Sequence, residues 1–151
     1  MLTSLRSLFV SITFMGVLSM PLPSHADDRL SELRAPPAAT LELDGVQHAA
    51  ACRELEHTVL AYLRQGWRIE GRRCFLLQPD VPWNSMEKFL DAELAPQGGA
   101  RQRFDWHDPG HDLVAVWRIG RSGAEYIATA MAHDAVDGRP LVGYFAVSKP
   151  K

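Results

Sequence analysis

The chain is short of cysteine, of net charge and of long apolar runs, and each shortage closes off a class of function. Of its 151 residues only two are cysteine, Cys52 and Cys74. That excludes a multi-disulfide scaffold, and neither cysteine has the Cys-x-x-Cys neighbour of a redox thiol. Against 18 Asp+Glu stand 16 Lys+Arg, a net charge of −2. Affinity for a phosphate backbone rises with the cations presented, so a general nucleic-acid binder is not expected. Nowhere are there the roughly 20 consecutive apolar residues of a spanning helix. Gly-x-Ser-x-Gly, His-Glu-x-x-His and a phosphate loop are also missing, so no cofactor is indicated.

One shorter apolar stretch is present. It runs from Ser7 to Met20, after the single early charge Arg6 and before Pro21, Pro23 and the small-x-small triplet Ser24-His25-Ala26. This order predicts a signal peptide over residues 1–26, cleaved near Ala26, and hence a periplasmic or secreted protein. No cysteine stands directly after the cut to carry a lipid, the first being Cys52, so no membrane anchor is expected. Only Arg6 leaves with the leader, which makes the mature chain slightly more acidic. In an oxidising compartment Cys52 and Cys74 are expected to form a disulfide, closing a loop of roughly twenty residues worth about 3 kcal/mol.

Residues 27–40 are polar, contain Ala35-Pro36-Pro37 and show no sustained period; they predict a flexible N-terminal arm. The rest, 41–151, reads as a single domain. Leu41 and Leu43 alternate briefly. Asp44, with Gln47 three residues on, looks like a helix N-cap. Cys52, Leu55, Val59, Tyr62 and Leu63 then form an apolar stripe at helical spacing, stopped by Gly66. Trp67 and Ile69 alternate with Arg68 and Glu70. Gly71-Arg72-Arg73 interrupts the pattern and Cys74 to Gln78 resumes it, as a hairpin or one bent strand. Pro79-Asp80-Val81-Pro82 opens a second helix, with Pro in its first turn and Trp83, Met86, Phe89, Leu90 and Leu94 as its buried stripe.

From Arg101 to Val147 four alternating segments are separated by Asp108-Pro109-Gly110, Gly120-Arg121-Ser122-Gly123 and Asp137-Gly138, the punctuation of an antiparallel meander. The last segment, Leu141 to Val147, lies between Pro140 and Pro150 and reads as an edge or closing strand. The fold class is therefore α+β: two helices packed on an antiparallel sheet with a C-terminal four-stranded meander. Phe104, Trp106, Leu113, Ala115, Trp117 and Ile119 mark the core face, with Ala124, Ala128, Ala130 and Ala132 as small residues under a helix.

The other face is too apolar for a solvated one. Val114, Val116, Ile127, Met131, Val142 and Tyr144 fall there among Arg103, Arg118, Glu125 and Thr129. Either a helix covers this face, giving three layers, or Val114, Val116, Arg118, Ile127, Met131 and Tyr144 form an arginine-rimmed protein-binding patch. The favoured expectation is a small exported protein-binding module, acting on another periplasmic or envelope protein as an accessory subunit, inhibitor or immunity-type partner; a homo-oligomer is also compatible.

Two alternatives rest on polar clusters. His107, His111 and His133, with Asp108, Asp112, Asp134 and Asp137, share one rim of the meander and offer imidazole and carboxylate to a metal, although Asp-Pro-Gly and Asp-Gly are also what tight turns require. Glu87 with Asp91 or Glu93 could serve as acid and base of a small hydrolase of envelope polymers, or simply form a solvated helix face. The arginines Arg68, Arg72, Arg73, Arg101, Arg103, Arg118 and Arg121 read as a paired, solvated surface.

Overall fold

A computed structural model describes residues 25–43, 48–105, 113–120 and 125–149. Its helices are α1 (His25–Glu32), α2 (Ala49–Leu63) and α3 (Trp83–Leu94). Its strands are β1 (Ala39–Leu43), β2 (Arg68–Leu77), β3 (Ala100–Arg101), β4 (Val114–Ile119), β5 (Glu125–Val136) and β6 (Arg139–Ser148). They form one antiparallel sheet in the order β1-β2-β6-β5-β4-β3, so the class is α+β and the C-terminal meander β3 to β6 forms as expected.

β6 is not an edge. It lies between β2 and β5, paired to both along most of its length. Pro140 is tolerated because it lies opposite the irregularity of β5 between Ala132 and Val136, where the ladder is already broken. The stretch after Gly66 is one bent strand, and its bend is the register shift between Ile69 and Gly71.

Both faces of the sheet are covered. α2 packs Cys52, Leu55, Val59, Tyr62 and Leu63 onto Val114, Val116, Ala128, Ala130, Phe145 and Val147. On the opposite face, Leu30 and Leu33 of the α1 segment and Met86, Leu90 and Leu94 of α3 pack onto Phe75, Trp117, Ile127, Met131 and Tyr144. The helical stripes read from the sequence are thus the packed faces. α2 approaches closely because β5 offers only Ala128 and Ala130 beneath it and β6 offers Gly143. A Cβ on Gly143 would collide with the Phe145 ring and stand 3.4 Å from Leu55.

Within residues 27–40, expected as an arm, the chain forms most of α1 and the start of β1. α1 lies on the sheet with Leu30 and Leu33 each only 2% exposed. Arg73 holds its C-terminal end by donating to the Leu30 and Leu33 carbonyls at 2.8 and 2.6 Å, a favourable place for a cation. The same guanidinium forks onto Glu42 at 2.6 and 2.9 Å. Arg34 donates to Glu93 of α3 through its backbone N–H at 3.0 Å and its guanidinium at 2.9 and 2.7 Å. Cys52 and Cys74 are joined, with Cα atoms 6.2 Å apart and a sequence separation of 22, tying the first half of α2 to β2.

The predicted signal peptide lies almost wholly outside the described residues, as do the Asp44 cap, Trp106, Ala124 and most of the first two meander turns. Among the described residues no helix is long and apolar enough to cross a membrane.

Candidate functional site

The predicted binding patch is not a surface. Val116 pairs across to Ala128 and Trp117 to Ile127, and directly paired residues of an antiparallel ladder project to the same side. Val114 and Val116 therefore lie under α2, 1% and 0% exposed, while Ile127, Met131 and Tyr144 lie under α1 and α3 at 1%, 3% and 0%. Of the six, Arg118 alone reaches solvent. The apolar residues are there because both faces carry a helical layer, the arrangement under which strands lose their polar alternation. Tyr144 stays anomalous: its hydroxyl is buried without a hydrogen-bond partner. Burial pushes its phenol far above the usual range, with the nearby Arg73 opposing only in part.

Glu87, Asp91 and Glu93, the candidate acid–base group, are each taken up in packing. Glu87 bonds Arg101, and Asp91 accepts from the Trp117 indole at 2.6 Å. Glu93 is held below the usual carboxylate range chiefly by its hydrogen bond from Arg34, the wrong direction for a general acid. Arg68, Arg72, Arg73 and Arg101 likewise all have carboxylate partners.

Unengaged polar groups gather at one end of the sheet. After β2 the chain turns through Asp80, at φ +60°, to Pro82 at the head of α3. Opposite, the irregular part of β5 carries His133 and Asp134, the latter at φ +54°, and the β5–β6 turn places Asp137 and Gly138 at φ +49° and +74°. Asp tolerates this left-handed region better than most residues, and two consecutive positive φ values give the twist a two-residue hairpin needs. Between these loops opens a cleft of about 380 Å³ lined by Asp80, Val81, Pro82, His133, Asp134, Gly138 and Pro140. Among the described residues the side chains of Asp80, His133 and Asp134 make no hydrogen bond or ion pair, so the cleft combines apolar lining with two free carboxylates and an imidazole.

His133 and Asp134 were legible as members of a polar rim; Asp80 was not, because only the fold brings it there from some fifty positions away. His107 and His111 lie outside the described residues. Among those described, no three metal-ligating side chains converge. No family model, curated protein or solved structure matches this chain.

Proposed function

We propose that the protein is an exported protein-binding module of the periplasm or envelope, and that its contact site is the cleft at the β5–β6 end of the sheet. One observation carries this reading: with both faces of the sheet occupied by helices, the cleft is where side chains without an internal partner border apolar surface. Binding sites commonly combine an apolar lining with a few convergent polar groups. Two uncompensated carboxylates select a partner that brings a Lys or Arg side chain. The leader-like start and the closed Cys52–Cys74 bond support export.

The test is photo-crosslinking in living cells. A photoreactive residue at Asp134 should give a discrete adduct with one envelope protein, whereas the same probe at Glu54, exposed on the outer side of α2, should give none. Equal labelling from both positions, or none from Asp134, would refute the assignment.

A further inference from the structure

The sheet ends on one side at β1, which is bonded to β2 alone. Among the described residues nothing pairs with its outer edge, and neither helical layer is a principal contact of it. The same strand carries Leu41, 43% exposed and the one exposed large hydrophobic side chain of the described chain. Edge strands are usually blunted by lysine, proline or a covering element, because their open N–H and C=O groups template pairing with another strand. β1 has only its shortness and the register shift after Ala39 as protection.

Its chemistry is self-complementary. Leu41 pairs with Leu76 and Leu43 with Cys74, so both leucines project to the α2 side. α2 rests mainly on β5 and β6, leaving Leu41 exposed and Leu43 only half-buried. Glu42, on the opposite side, is neutralised by the two-pronged bond from Arg73 and brings no free charge to the edge. We propose that β1 is the contact between two copies of this chain, pairing antiparallel about a two-fold axis at Glu42. Leu41 of each copy then faces Leu43 of the other, apolar against apolar at the short separation of a directly opposed pair. A different protein is the weaker candidate, because the edge carries no unpaired charge that would select one. The cleft does carry such charge, so one chain would use two separate surfaces, and failure of either leaves the other standing.

A five-residue strand buries little area, so the dimer is weak and forms only towards the upper end of the concentrations tested. Sedimentation equilibrium of the protein purified from its export compartment, from about 10 μM to about 1 mM, should show the average mass rising towards twice the monomer. Leu41→Lys should hold it at the monomer mass throughout while shifting the melting temperature by no more than about 2 °C, since the side chain is exposed. Should that variant fold poorly, amide exchange of the unaltered protein decides instead: residues 41–43 should exchange more slowly at high concentration than at low, with no such change at 133–138. A constant monomer mass, undiminished association in folded Leu41→Lys, or concentration-dependent protection at the cleft in place of β1 would each overturn the proposal.

Discussion

Reducing the Cys52–Cys74 bond isolates one term in the stability of this domain. The bond closes a loop of 22 positions in sequence, for which the loop-entropy relation gives about 3 kcal/mol at 25 °C. Cys52 and Cys74 are 6% and 2% exposed. Reduction in place leaves the sulfur atoms packed, whereas Cys52→Ala with Cys74→Ala also removes buried volume and costs about 1 kcal/mol more. A domain of this size holds roughly 5–15 kcal/mol in all, so both forms should still fold, with a melting temperature about 10 °C lower. Urea unfolding followed by tryptophan fluorescence, with and without reductant, reads the difference directly. The reduced form should also give a slightly steeper denaturant dependence, since its unfolded chain exposes more surface. An unchanged midpoint in protein whose thiols titrate as reduced would refute the reasoning, and free thiols in protein taken from the export compartment would refute the bond itself.

Gly143→Ala should destabilise by about 1–3 kcal/mol, because the new methyl would collide with the ring of Phe145, itself 0% exposed; a variant as stable as the parent would show that the Phe145 ring does not lie over Gly143. Acidification tests the two ionic clamps. Hydrogen bonds from Arg73 and Arg34 hold the Glu42 and Glu93 carboxyls below their ordinary range, so their contribution is full above the unfolded value near about 4.3 and lost as pH falls through the lower folded value. The melting temperature should therefore drop below about pH 4.5, and Glu93→Gln should lower it at pH 7 while making it less sensitive to acid; an unchanged acid slope would discount the clamp.

The sequence revealed helices more readily than faces. The stripe Cys52, Leu55, Val59, Tyr62 and Leu63 names the buried side of α2 because one side of that helix is polar and the period is unambiguous. β4 and β6 give no such contrast. Five of six positions in β4 and eight of ten in β6 are buried, so alternation cannot say which residue faces which layer, and Val116 was grouped with Ile127 when it pairs with Ala128. α1 was illegible for a different reason. It has two anchoring leucines, one turn apart, in a polar segment, and its other holds come from Arg73 and Glu93, some forty and sixty positions away. In the cleft, His133 and Asp134 were visible as turn-proximal polar residues, but the loop that completes it, Asp80 to Pro82, reaches the site only once β2 is paired beside β6.

Helices cover both faces of the sheet among the described residues, and the proposed function rests on that cover. Val116 tests this most directly, being 0% exposed beneath α2. Val116→Asp forfeits about 1.5–3 kcal/mol of apolar burial and sets an unpaired carboxylate in the core at several kcal/mol more, comparable to the whole stability of such a domain. Val116→Ala should cost only about 2 kcal/mol and remain folded. Circular dichroism melts of the two variants are the measurement. Val116→Asp should show no cooperative unfolding transition at neutral pH, while Val116→Ala should melt a few degrees below the parent. A cooperative Val116→Asp melting within a few degrees of the parent would mean that this face lies open to solvent and not beneath α2.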